Sequence, residues 1–319
     1  MIGLDHAHSS YRRAAVIYNP YAGRLARRAH LLQRSIELLR QQGTQATLVP
    51  TTGPGTAGLL AKREIENGAD LIVIAGGDGT INEVLNGMVH SPVPLAILPA
   101  GTANVLAHEL NMKHGLLHAA GSIASLEPCR ISLGVIRAAD YERYFLSMAG
   151  IGLDAQIVYD LNLDLKAAAG KLAYYVGGMA QLLRPIPQFD VTVSGKLHRC
   201  GFALISNVRN YGGDLEIARG ASLLRDDFEL VLFEGSGSVG YLRYLLGVAL
   251  KRVERLRGCT VLRATSATCE AASDPAVYTQ IDGELACRLP VTIEVEPKAL
   301  TLLVPSAYLA RETGDGRRR

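Results

Sequence analysis

Four times between residues 12 and 99 a short β-branched run leads into a glycine-bearing turn and then into a stretch with helical spacing. AAVIYN precedes NPYAG, ATLVP precedes TTGPGTA, LIVIA precedes GGDGT, and PLAIL precedes PAGT. Strands that are apolar almost throughout must be covered on both faces. Alternating with helices, they predict an α/β fold with a Rossmann-like, doubly wound parallel sheet. Ligands of such sheets bind beyond the carboxyl ends of the strands, where all four turns fall.

From about Glu127 the pattern changes to shorter alternating segments, among them RISLGVI, YFLSMAG, FDVTVSG, RCGFALIS, FELVLF and VTIEVE. These predict an antiparallel, β-sandwich-like domain, interrupted by helical stretches near residues 163–183 and 239–257. A chain of 319 residues divides naturally into two cores. The expected plan is an α/β domain over residues 1–127, a β-rich domain over 128–305, and a flexible basic tail over 306–319 that ends in RETGDGRRR.

A net charge of +3 is too small for a general nucleic-acid binder. The five cysteines are widely spaced and contain no CxxC pair, so neither a disulfide framework nor a zinc site is indicated, and a reducing cytoplasm fits. The first residues lack the basic start and continuous apolar run of a secretory signal, so export is not expected. Apolar runs such as residues 244–250 fall short of the roughly 20 residues that span a bilayer, so any membrane contact is expected to be peripheral.

The sharpest turn is Gly76-Gly77-Asp78-Gly79-Thr80, between LIVIA and TINEVLNGMV. Glycines permit positive φ and close approach of a ligand, and the helix start offers N–H groups and a positive dipole end, which together make a phosphate cradle. Thr80 and Glu83 have capping-box spacing, and Ile81, Val84, Leu85 and Met88 form one apolar stripe. Asp78 would repel a bare phosphate, which points to a cation between them and to Mg·ATP as the ligand. Read locally, GGDG is also an ordinary tight turn; three more turns at the same edge favour the cradle.

Gly101-Thr102-Ala103-Asn104 repeats the arrangement, with Thr102 as a helix cap and Asn104 as a hydrogen-bonding group for a nucleotide or lid. Asn19-Pro20-Tyr21-Ala22-Gly23-Arg24 adds a turn with a guanidinium beside it, and Thr51 with Gly55 marks the fourth. The absence of GxxxxGK[ST], and of GxGxxG opening the first helix, argues against P-loop NTPases and dehydrogenases.

In the order NPYAG, TTGPGTA, GGDGTINEVLNG, LPAGTANVLAHEL, GIGLDA, KAAAGKLAYY, NVRNYGGDLEIARGAS, DDFELVLF and IDGE, most of the chain resembles the diacylglycerol kinase catalytic family, which includes bacterial lipid kinases and sphingosine kinases. The resemblance implies transfer of the γ-phosphoryl group from ATP, with Mg²⁺, to a lipid hydroxyl. It implies ATP binding through Asn19, Pro20, Gly23, Arg24, Thr51, Gly76, Gly77, Asp78, Gly79, Thr80, Asn82, Glu83, Gly101, Thr102, Asn104 and Lys171, with Lys166 nearby. Both lysines are also readable as solvated helix residues. In Ile281-Asp282-Gly283-Glu284 one carboxylate, Asp282 or Glu284, would take the proton of the acceptor. Locally, Asp282-Gly283 is also a type I′ hairpin signal.

Asp78 is implied as a magnesium contact, and the family's structural metal maps onto Asp226 with the Leu223 and Phe228 carbonyls, although the glycine of that segment is absent here. The implied partners are a lipid substrate and, peripherally, the inner face of the membrane; a homodimer is compatible with the family. Residues 239–257 combine leucines with arginines as a membrane-surface helix would, or as a core-packed helix with a basic end. Two rivals stand beside the lipid kinase. An NAD kinase shares GGDGT, but its second motif is of glycine-serine-threonine type where this chain has GTANVL. A non-catalytic ATP sensor would not need Asp78, Asp282 and Glu284.

Overall fold

A computed structural model describes residues 10–21, 29–112, 115–153, 155–156, 187–212, 215–235, 243–244, 247–248, 253–271 and 276–314. They fall into two compact units, Met1–Ile131 with Lys298–Arg319, and Ser132–Pro297. The sequence suggests boundaries at 127/128 and 305/306, whereas the units divide inside two long strands, β5 (Glu127–Ala138) and β18 (Val291–Val304). A boundary within a strand leaves no linker composition to read.

The first unit is an α/β layer structure. Its strands β1 (Arg13–Tyr18), β2 (Gln45–Pro50), β3 (Leu71–Gly76) and β4 (Leu95–Pro99) run parallel in the order β2-β1-β3-β4. Every residue of β3 is buried, as a strand covered on both faces requires. The helices are α1 (Ala29–Gln41), α2 (Ala57–Glu66), α3 (Asp78–Asn86), α4 (Val105–Glu109) and α5 (Leu116–Ser122). Leu32, Ile36 and Leu39 on α1, and Ile81, Val84 and Leu85 on α3, recur at helical spacing and are all buried.

Helix α1 packs on α5, and α2 packs on α3. The second contact is unusually close. A Cβ added at Gly58 would lie 2.6 Å from the Glu83 carbonyl oxygen, and one at Gly87 would lie 2.1 Å from the Gly58 carbonyl oxygen. Only glycine at both positions allows the two backbones to meet in this way.

The second unit is a sandwich of antiparallel sheets. One contains β8 (Phe189–Val193), β9 (Lys196–Cys200) and β15 (Ser266–Ala271), with β15 paired to the first half of β18 and with β6 (Tyr141–Phe145) paired to β5. The other has the order β14 (Cys259–Ala264), β13 (Phe228–Phe233), β10 (Phe202–Ser206), β7 (Met148–Gly152), β16 (Tyr278–Ile281) and β17 (Glu284–Arg288). A short pair, β11 (Asn210–Tyr211) and β12 (Leu215–Glu216), stands apart. Phe145, Phe189 and Ile293 from the first sheet and Ile151, Phe228, Leu230 and Ile281 from the second share one buried core.

Much of the expected membrane-surface stretch 239–257 lies outside the described residues. Of its described residues Tyr244 is buried against Phe202 and Phe233, which is the behaviour of a core-packed face. The expected flexible tail also requires correction. Its first part forms α6 (Ser306–Thr313), with Tyr308 buried and Arg311 bound to the buried Glu109 carboxylate at 2.9 Å and to its carbonyl oxygen at 3.2 Å. The helix is held by a partner 202 positions away, which a local reading of polarity misses.

A buried carboxylate that loses its cation is costly, whereas an exposed neighbouring pair contributes little. Arg311→Ala is therefore expected to lower stability by about 1–3 kcal/mol in chemical denaturation. Arg63→Ala, which removes the exposed pair with Glu64, is expected to leave the denaturation midpoint unmoved.

Candidate functional site

All four glycine-bearing turns leave the carboxyl ends of the parallel strands. After β1, Asn19 accepts the Tyr21 N–H at 2.9 Å through its side-chain oxygen, closing a turn that includes Pro20. Gly23 and Arg24 follow outside the described residues. After β2, the buried Thr51 donates its N–H to the Tyr18 carbonyl at 2.9 Å, and Thr56 closes the turn by donating to the Gly53 carbonyl at 2.7 Å.

After β3, Gly77 is extended (φ −97°, ψ −178°) and stands at the N-cap of α3, which begins at Asp78. After β4, the Ala100 N–H donates to the Gly76 carbonyl at 3.1 Å, laying the PAGTAN turn on the glycine loop after β3. A Cβ at Gly101 would stand 2.5 Å from the Gly77 Cα, so the two loops touch through bare backbone. Gly76, Gly77, Asp78, Gly79, Thr80, Gly101 and Thr102 are thereby gathered at one edge.

Several roles differ from the sequence reading. The loop glycines Gly76, Gly77, Gly79 and Gly101 do not have positive φ; at Gly77 and Gly101 backbone approaches backbone, and a Cβ at Gly76 would stand 2.9 Å from the Thr80 Cβ. The capping box does not form, and Glu83 instead accepts the Gly55 N–H at 2.8 Å and the Ala57 N–H at 3.0 Å, at the start of α2. Asn104, expected to meet a nucleotide, is left-handed (φ 49°, ψ 51°) and turns its amide onto the N–H and C=O of Gly101, both at 2.8 Å. Thr102 does not cap α4, whose Val105 N–H goes to the Asp78 carboxylate at 2.8 Å. Asn82 is buried, and its carbonyl accepts from the Asn86 amide at 2.8 Å.

Among the described residues no group of three or more His, Cys, Asp or Glu side chains could hold a metal ion. Asp78 opens α3 beside the glycine loop, with one carboxylate oxygen accepting the Val105 N–H. Asp226 accepts the Ser132 hydroxyl at 2.5 Å, Asp227 pairs with Arg225, Leu223 is buried and Phe228 opens β13.

In the second unit Asp282 (φ 49°) and Gly283 (φ 85°) form the turn between β16 and β17. The Asp282 carboxylate accepts three backbone N–H groups, from Leu146 at 3.0 Å, Ser147 at 2.8 Å and Met148 at 3.1 Å, and its own N–H donates to the Met148 carbonyl at 2.9 Å. Glu284 opens β17 with its side chain 40 % exposed, and its carboxylate meets the Arg143 guanidinium at 3.1 Å. On the same face of β6, Tyr141 buries a hydroxyl that makes no hydrogen bond of good geometry. Burial pushes its pKa up, partly offset by Arg143 beside it. Arg143 and Tyr141 were not foreseen; their i, i+2 spacing in YERYF was the available sign.

Lys166 and Lys171 lie outside the described residues. A cavity of about 300 Å³ in the first unit is lined by Leu110, Met112, His118, Tyr308 and Arg311 among others and includes no residue of the phosphate loop. The candidate site is placed at the strand ends because that edge carries the donors and carboxylates, whereas the cavity's one cation is already paired with Glu109.

Two family profiles match the chain. Residues 13–136 match the diacylglycerol kinase catalytic domain, and residues 147–304 match the YegS C-terminal NAD kinase beta sandwich-like domain. A diacylglycerol kinase of Bacillus subtilis (strain 168) is 33 % identical over 239 residues, covering 73 % of this chain and 77 % of the relative. One of Staphylococcus aureus (strain Newman) is 26 % identical over 308 residues, 94 % of this chain and 95 % of the relative. A crystal structure from Bacillus anthracis str. Sterne superposes with a TM-score of 0.80 at 21 % identity, covering 96 % of this chain and 99 % of that one. At that identity the likeness speaks for the fold.

The two carboxylates of the Asp-Gly-Glu segment are expected to separate on substitution. Asp282→Asn keeps a residue tolerant of left-handed φ but turns an NH₂ group toward backbone donors, and is expected to cost about 2–3 kcal/mol in thermal or chemical unfolding. Glu284→Gln, on an exposed group, is expected to leave the melting temperature within experimental scatter.

Proposed function

The chain belongs to the diacylglycerol kinase catalytic-domain family, and from that premise we propose that it transfers the γ-phosphoryl group of Mg·ATP to a lipid hydroxyl, with diacylglycerol first among the acceptors. The observation that carries this reading is the start of α3, a glycine-lined helix N-terminus whose N-cap residue is Gly77, at the carboxyl end of the central strand β3. The leading N–H groups of a helix have no partners within it, and a phosphate group satisfies them.

In this proposal the backbone of residues 76–80 receives the phosphates, and Asp78 stands where a phosphate-borne Mg²⁺ would be met. Bound there, the metal would neutralise charge on the transferring group. Glu284 acts as the general base. Its carboxylate is partly exposed and oriented by Arg143, whereas the Asp282 carboxylate is occupied by three backbone donors. The acceptor hydroxyl gives its proton to Glu284, its oxygen forms the new bond to the γ-phosphorus, the bond from that phosphorus to the β–γ bridging oxygen breaks, and ADP leaves. Among the described residues no helix is long and apolar enough to cross a membrane. We propose peripheral contact with the inner membrane face from the cytoplasm.

The test is transfer of labelled γ-phosphate to a panel of micellar lipids. A labelled lipid is expected from the wild type, with a rate loss of about a hundredfold to ten-thousandfold for Glu284→Gln. Arg143→Gln is expected to lower kcat about tenfold to a hundredfold through misplacement of the base, with partial recovery in Arg143→Lys. Transfer to NAD would assign an NAD kinase, and ATP binding without transfer to any acceptor would assign a sensor.

A further inference from the structure

We propose that Glu83 is a positioning residue of the phosphate loop and not a nucleotide ligand; the proposal rests on the kinase reading above. Helix α3 sends out two carboxylates. Asp78, in its first turn, takes the Val105 N–H at the start of α4, and Glu83 takes the Gly55 and Ala57 N–H groups at the start of α2. Five residues apart on a helix, the two side chains diverge by roughly 140°, which carries them to different neighbours.

Three helix starts gather at one sheet edge, and each carries a partial positive charge that attracts anions. At two of them the anion is built in, supplied by α3. At the third, the start of α3 itself, the N-cap position is Gly77, which brings no side chain of its own. The arrangement confines the phosphates to one place, and it ties the flanking turns to the helix that binds them.

Glu83 also shares the contact between α2 and α3 with the glycine crossing. Its carbonyl oxygen is the atom that a Cβ at Gly58 would strike at 2.6 Å. The Glu83 carboxylate grips the N–H groups of Gly55 and Ala57, and one residue further on Gly58, with Gly87 opposite it, lets the helices touch. The turn that carries Thr51 and Gly55 is thus fixed to α3 and to the loop in front of it. Loosening either contact should free that turn and weaken nucleotide binding while leaving the phosphoryl-transfer step less affected.

The experiment is calorimetric titration of the full chain with Mg·ATP, which needs no lipid, together with amide hydrogen exchange over residues 55–60. Glu83→Gln is expected to raise the Kd about tenfold and to speed exchange in that segment. On an acceptor lipid, KM for ATP should rise more than kcat falls. Gly58→Ala, which pushes the start of α2 off the Glu83 backbone, should give the same phenotype, and the double variant should weaken binding by less than the product of the two, since they release one contact. Faster exchange with an unchanged Kd would mean that Glu83 is merely structural and overturn the inference. Multiplicative effects of the two variants, without faster exchange, would make Glu83 a direct ligand and overturn it as well. A wild type that fails to bind Mg·ATP would instead remove the kinase reading, an outcome visible before any variant is compared.

Discussion

Backbone N–H groups left over at helix starts and tight turns need acceptors, and in this chain distant carboxylates supply them. Glu83 reaches Gly55 and Ala57, 28 and 26 positions back, and Asp78 reaches Val105, 27 positions on. Asp70 holds the N–H groups of Arg12 and Arg13 at the head of β1, and Asp282 holds three consecutive ones more than 130 positions away. A hydrogen bond to a charged acceptor contributes about 1.5–3 kcal/mol, more than most exposed ion pairs, and it also fixes a direction. These contacts give the irregular parts of the molecule, where chemistry is placed, a rigidity that sheet ladders cannot reach.

The same fact explains what the sequence conveyed and what it withheld. The alternation of apolar runs, glycine turns and helical stripes is local, so the parallel sheet and its order of elements were legible, as was the change to short alternating strands near residue 127. Thr80-x-x-Glu83 matched a local capping pattern, but its glutamate had partners that only the packing of α2 on α3 could reveal. The partner of the Asn104 amide, the Gly101 backbone, is likewise a feature of the folded turn that the sequence does not show. Arg143 carried no motif, since Glu284 lies 141 positions away. The helix at Ser306–Thr313 was hidden behind a polar final segment and depends on Glu109. Motifs are local and could be read from the sequence; the tertiary hydrogen bonds around them could not.

The glycine loop at residues 76–80 shows why residue type and residue role need separate reasoning. Glycine was expected there for its freedom of φ, yet none of its glycines has positive φ, and at Gly77 the constraint comes from the neighbouring turn. Gly101 against Gly77 brings two loops into backbone contact, and Gly58 against Gly87 does the same for two helices. Each side chain omitted leaves the N–H groups of one turn nearer to those of the next, which concentrates the positive potential at the edge of the sheet.

Asp282-Gly283-Glu284 makes the complementary point. A hairpin signal and a catalytic motif look like rival explanations of three residues, but the geometry lets one produce the other. The type I′ turn requires left-handed backbone at both central positions, which aspartate tolerates and glycine favours. Once Asp282 is fastened to the Leu146, Ser147 and Met148 backbone, the register of β17 is set, with Glu284 opposite Ile281 at its first position. A carboxylate anchored by so few degrees of freedom, with Arg143 from β6 beside it, is the kind of fixed group that the proposed role as base calls for. The turn therefore fixes where the second carboxylate of the segment stands.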